Sequence, residues 1–110
     1  MSDKEWTRAE RNVARIAFNK ALKREYDLVI LKIRKMAADA SEPSDVWEIH
    51  RYLSLNLKEI DRKYDYRYSI ITTVFGRLLA EGLISERDLE GLKGDKTEAI
   101  RRMARAITEM

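Results

Sequence analysis

DVWEIHRYLSLNLKEIDRKYDYRYSIITTVF, Asp45 to Phe75, decides the fold. Val46, Ile49, Leu53, Leu57, Ile60 and Tyr64 follow one another at steps of three and four residues. That spacing puts them on one side of a helix, the usual pattern for a buried stripe. Trp47, His50 and Ser54 fall on the adjoining face, where a second surface can be covered. Asp65 marks a break, and Ile70, Ile71, Val74, Phe75, Leu78 and Leu79 give a third helix running to Ala80. The stretch also holds the only His, one of the two Trp and four of the five Tyr.

Upstream lies Ser41-Glu42-Pro43-Ser44, with Ser44 or Asp45 placed to cap the helix that follows. Before it nothing interrupts the chain back to Thr7, where T-x-x-E (Thr7, Glu10) reads as a capping box. Arg8 to about Asp39 is therefore expected as one helix, about 45 Å long at about 1.5 Å per residue. Its apolar positions include Val13, Ile16, Ala17, Ala21, Leu28, Leu31 and Met36. The segment LVILKI could form a strand, but the helical pattern on both sides favours helix. Met1 to Glu5 is expected to fray.

Downstream, Gly82 reads as a helix-ending residue with Leu83 packing back. Ser85 with Asp88 caps a short fourth helix, and Asp95 with Glu98 a fifth carrying Ile100, Met103 and Ile107. The fold expected is all-α: a long antiparallel helical hairpin, or stalk, over about 7–64, then a small helical head over about 65–110. The 110 residues form a single domain. So long a first helix needs a partner subunit to cover it.

Composition narrows the function. Charged residues make up 37% and apolar ones 45%, with net charge +3. Without Cys there is no disulfide, thiolate metal site or Cys nucleophile. His50 has no second ligand or catalytic partner at a diagnostic spacing, and no phosphate-binding Gly loop or HExxH motif occurs. The chain reads as neither an enzyme nor a cofactor carrier. MSDKEWTRAE lacks the apolar core of a secretory signal, and no run approaches the roughly 20 apolar residues of a membrane span. A cytoplasmic location is expected.

Charge is unevenly spread: ten Lys/Arg against six Asp/Glu in 1–39, seven against ten in 40–92, and five against three in 93–110. This suggests complementarity within or between chains, or a nucleic-acid partner. The second is disfavoured by the lack of a basic recognition helix after LLAEGLISERDLEGL. Tyr64, Tyr66 and Tyr68 alternate with Lys63, Asp65 and Arg67, and the acidic content favours an ordinary helix–helix junction over base stacking. Trp47 is either core or a dimer or partner contact.

The residues also carry a family resemblance. EWTRAE at Trp6, FNKALKRE, DVWEIHRYLS, EIDRKYDYRYSIITTVF, LLAEGLI and LKGDKTEAI together resemble the cyanobacterial fluorescence recovery proteins and their bacterial relatives, in one register along nearly the whole chain. The resemblance implies a stalk-and-head homodimer without a cofactor. It implies binding to the photoactivated orange carotenoid protein, mainly its C-terminal domain, faster return of that protein to its resting form, and an end to quenching at the phycobilisome. A cyanobacterial source would add a peripheral position at the cytoplasmic face of the thylakoid.

Trp47 and His50 match family positions in the dimer and partner region, with Leu53 on the neighbouring stripe. Four positions depart from the pattern. Arg51 stands where cyanobacterial members carry an acid, Leu57 where they carry an Arg, Thr73 at an aromatic position and Ala99 at a basic one. The resemblance thus implies a retained scaffold with an altered partner surface, which also suits an unrelated protein partner outside the cyanobacteria.

Overall fold

The computed structural model describes residues 6–110. The expectation for Met1 to Glu5 falls outside them. Helix α1 runs Arg8–Asp39, α2 Pro43–Lys63, α3 Ile71–Ala80 and α4 Gly94–Thr108, with a 3-10 turn at Glu86–Leu89. There is no strand among the described residues.

The capping box of α1 forms as expected. Glu10 N–H donates to Thr7 Oγ1 and Thr7 N–H to Glu10 Oε1, each at 3.1 Å. LVILKI lies inside the unbroken 32-residue helix. Ala40 and Glu42 are extended, and Glu42 must be, because a following proline disfavours helical geometry. Neither Ser44 nor Asp45 is the N-cap of α2. Glu42 is, with Pro43 in the first turn, where its missing N–H costs nothing. Asp45 instead reaches back from the third helical position. Its Oδ2 accepts from the amides of Ser41 and Glu42, both at 2.9 Å.

α2 returns along α1 and ends where Lys63 meets Glu25 at 2.6 Å. The chain then crosses α1 without helical structure, and Tyr64, Tyr66 and Tyr68 lie against it. Phe18 meets Tyr64 and Tyr66 edge-on at 5.3 and 4.8 Å, and Trp6 meets Tyr68 at 5.2 Å. The tyrosines therefore form a packing junction, but of an irregular segment on a helix rather than the expected helix on helix.

α3 stops as the sequence implied. Gly82 has φ 75°, and the amides of Gly82 and Leu83 donate to Leu79 O (3.1 Å) and Leu78 O (2.9 Å). This is a Schellman cap, with Leu83 folded back into the core. The expected fourth helix is only the four-residue 3-10 turn, although Ser85 and Asp88 do form its capping box. The expected cap of the last helix is also different. α4 starts at Gly94, with Lys93 as N-cap and Asp95 inside the first turn.

The core collects Trp6, Ala14, Ala17, Phe18 and Ala21 from the start of the chain with Ile71, Phe75, Leu78, Leu89 and Ile100 from its second half. Each fully buried Ile, Leu or Phe contributes about 1.5–3 kcal/mol. α3 and α4 pack closest at Gly76. A Cβ there would lie 2.5 Å from both Cβ and Cγ of Met103. The hairpin extends beyond this core. The whole structure has extents of 53 × 29 × 22 Å and a radius of gyration of 16.7 Å, against about 13 Å for a compact chain of this length.

Candidate partner-binding surface

The stripe that decided the fold is split along its length. Ile60 is buried, Ile49 and Leu53 are half-buried, and Val46 and Leu57 are exposed. Helical geometry places Val46, His50 and Leu57 within about 40° of one another. α2 therefore turns one edge of the stripe inward and presents the other to solvent, beside Trp47.

The two tryptophans take opposite roles. Trp6 is 2% exposed and closes the core, whereas Trp47 is 70% exposed. The reading of Trp47 as intrachain core is thereby excluded. Its ring meets the His50 imidazole edge-on at 5.8 Å. Below it, Ala40, Pro43, Val46 and Trp47 line a shallow recess of about 580 Å3 at the hairpin tip. The backbone of the tip is held by Asp45. The two amides it accepts from hold its carboxylate below the usual range. On α1, Leu28 and Leu31 are exposed too. Such a concentration of large apolar side chains on one hairpin is typical of an interface rather than of a solvated face.

Arg51 is exposed close to this group, one residue beyond His50. Thr73 and Ala99, 26 residues apart in sequence, line one groove between α3 and α4 with Thr72, Arg102, Met103 and Ala106. Its volume is about 330 Å3. The seven candidate residues thus form two groups. Trp47, His50, Arg51, Leu53 and Leu57 lie on α2, and Thr73 and Ala99 lie on the head.

Two clusters escaped the sequence reading. Glu10 and Lys96 form a buried ion pair at 3.2 Å, with side chains 2% and 1% exposed. Glu10 Oε2 also accepts the Lys93 amide at 2.9 Å, so one carboxylate serves the first turns of both α1 and α4. Burial alone would raise its pKa. The amides of Lys93 and Thr7 and the Lys96 ammonium overcome that and lower it to about 2. No local signal links Glu10 to Lys96, 86 residues away. The second cluster sits where hairpin meets head. Buried Lys63 lies 2.6 Å from Glu25 and 2.7 Å from Glu81, and Arg77 joins Glu81 to Glu59 at 2.8 and 2.6 Å. These ions tie α1, α2 and α3 together.

No group of three or more His, Cys, Asp or Glu among the described residues could hold a metal ion. No described helix is long and apolar enough to cross a membrane.

Residues 6–104 match the family model described as photoprotection regulator fluorescence recovery protein. The chain belongs to that family. It is 39% identical over 100 residues to the fluorescence recovery protein of Synechocystis sp. PCC 6803, covering 91% of this chain and 92% of the relative. It superposes on the solved structure of the Synechocystis protein with TM-score 0.87, at 39% identity, covering 91% of this chain and 98% of that one. The structure of the Fremyella diplosiphon fluorescence recovery protein gives the same TM-score and coverages at 40% identity. The all-helical fold is thus the family's own, and the family is one of photoprotection regulators.

Proposed function

We propose that the chain is a non-enzymatic regulator of photoprotection. As a homodimer it binds the C-terminal domain of a photoactivated orange carotenoid protein, speeds its return to the resting form and ends quenching at the phycobilisome. The observation that carries this reading is the Trp47–His50 pair. Within a chain that matches the family almost end to end, it remains exposed and in mutual contact. A binding protein shifts a partner only by differential affinity for its states, and speeds a transition by holding the path between them better than either end. An exposed aromatic anchor and a second groove on the head suit that action. The exposed apolar residues of the hairpin, Leu28, Leu31, Val46 and Leu57 among them, suit a subunit contact.

The test is to mix the protein with photoactivated orange carotenoid protein and time the red-to-orange return in darkness, while sizing the free protein and the mixture. Faster return and a complex larger than either component are expected. No acceleration at saturating concentration and no complex would reject the proposed activity.

A second reading is a dimeric interaction scaffold of the same fold with a different, non-carotenoid protein partner. Its motive is also geometric. Thr73 and Ala99, both smaller than what cyanobacterial members place there, face one groove, so two departures change one surface together. Arg51 reverses a charge beside the exposed Trp47. A stable dimer inactive in the dark-return assay, from a genome without a carotenoid-binding partner, would favour this reading. A carotenoid-protein gene adjacent to this one would count strongly against it.

A further inference from the structure

The segment after α2 makes a groove of about 450 Å3 against α1, lined by Arg15, Tyr66, Arg67, Tyr68 and Ser69. It shares no lining residue with the hairpin-tip recess or with the Thr73–Ala99 groove. We propose that this groove binds a tetrahedral oxyanion of the phosphate class.

Four features carry the assignment. First, the Arg15 guanidinium carbon sits over the Tyr66 ring, 3.8 Å from its centroid. A cation held over an aromatic face keeps its N–H donors for other acceptors. Arg15 makes no ion pair with any carboxylate among the described residues. Second, the hydroxyls of Tyr66 and Tyr68 lie 3.3 Å apart. Two phenols share one hydrogen bond, so one phenolic proton has no acceptor among the described residues. Burial first, then the Tyr68 hydroxyl, push the Tyr66 phenol up, so it remains a donor at neutral pH. Third, Asp65 does not leave the groove acidic. It is held by Arg67 through Nε and Nη2 at 2.9 and 2.6 Å, which leaves Arg67 Nη1 uncommitted. Fourth, Ser69 adds a hydroxyl on the same wall.

The donors come from two directions, Arg15 from α1 and the remainder from the crossing segment. A planar carboxylate has two oxygens to offer. A phosphate offers three or more at tetrahedral angles, and Arg recognises two of them at once. The tyrosine rings also offer an aromatic face for the organic part of a phosphoester.

Titration of the isotopically labelled full chain with inorganic phosphate, against sodium chloride at equal ionic strength, tests the proposal. Amide shifts that saturate at Arg67, Tyr68 and Ser69 with phosphate and not with chloride are expected. Phenyl phosphate in a parallel arm separates the sources. Equal response to both identifies a free-oxyanion site, and response to phenyl phosphate alone identifies a phosphoester site. Arg15→Gln should weaken binding about tenfold, the loss of one charge-assisted contact. Tyr68→Phe, which keeps the ring against Trp6, should weaken it less. Both variants should keep the parent's spectrum elsewhere. No response beyond the chloride control in either arm, or an Arg15→Gln titration identical to the parent's, would overturn the assignment.

Discussion

Glu10 is the residue on which the head closes. One of its oxygens completes the cap of α1 and the other holds the start of α4, with the Lys96 ammonium beside both. Removing one member of a buried pair strands the other's charge, at a cost of about 3–5 kcal/mol. Glu10→Gln should therefore lower stability by about that amount at pH 7, read from urea unfolding. The pH dependence has a definite sign. A carboxyl whose folded pKa lies near 2, below its ordinary 4.5, contributes stability fully above pH 4.5 and loses it as pH falls towards 2. The gap between parent and Glu10→Gln should be constant above pH 5 and shrink below 4.5. A gap unchanged at pH 2.5 would show that the ionised form is not what stabilises the head. T-x-x-E made the local half of this arrangement legible. The other half depends on tertiary folding, which no spacing encodes.

At the scale of elements, the helices were legible because their ends are written in short-range chemistry: Thr7 with Glu10, Pro43, Gly82, Ser85 with Asp88. Where a tertiary partner takes over, the reading slipped. α4 begins at Gly94, just after Lys93, because Glu10 accepts from the Lys93 amide in place of a local acid. The stripe on α2 was read correctly as a period, but a period does not say which edge the chain covers itself. Gly76 carried a faint signal, since a glycine inside an apolar helical run usually serves a close approach. Gly76→Ala should force α4 away from α3 and cost about 1–3 kcal/mol, the range for overpacking. An unfolding midpoint equal to the parent's would mean that the α3–α4 backbones separate at little cost. At the junction of three helices, Lys63→Met leaves Glu25 and Glu81 without their shared cation. It should cost about 1–3 kcal/mol, because both carboxylates are partly exposed and Glu81 keeps Arg77, and Glu25→Gln in the same chain should restore part of the loss. Additive losses in that double-mutant cycle would mean that the two side chains act independently.

At the scale of the molecule, the uneven charge distribution finds its explanation inside the chain. Lys20 and Arg24 of α1 meet Asp88, Arg101 of α4 meets Glu86, and the hairpin joins the head through Glu25, Lys63 and Glu81. The pairs of Lys20 and Arg24 with Asp88, and of Arg101 with Glu86, join the basic outer segments to the acidic middle, which weakens the motive for a nucleic-acid partner. The hairpin tip is what the chain leaves uncovered. If the outer edge of α2 is the subunit seam, Leu57→Glu should shift the protein towards monomer on sizing at low micromolar concentration. Trp47→Ala should do so more weakly, because it removes area without adding a buried charge. Leu57→Glu is the cleaner probe, since Leu53 is half-buried within its own chain and Leu53→Glu would also disturb the hairpin. A Leu57→Glu protein that remains dimeric would move the seam to the Leu28–Leu31 side of α1.

The reach of Glu10 also orders events during synthesis. α1 and α2 can pair as soon as both have emerged, because their turn is short and local. The head cannot close until Lys93 and Lys96 exist, after most of the chain has been made. Contacts so distant in sequence form slowly. A nascent chain therefore displays its tip, Trp47 included, before its head is closed. The surface proposed for recognition is thus available before the head has closed. A hairpin that could pair with its twin at this stage would assemble beside the ribosome. Subunits made from one message would then associate with each other in preference to subunits already folded in solution.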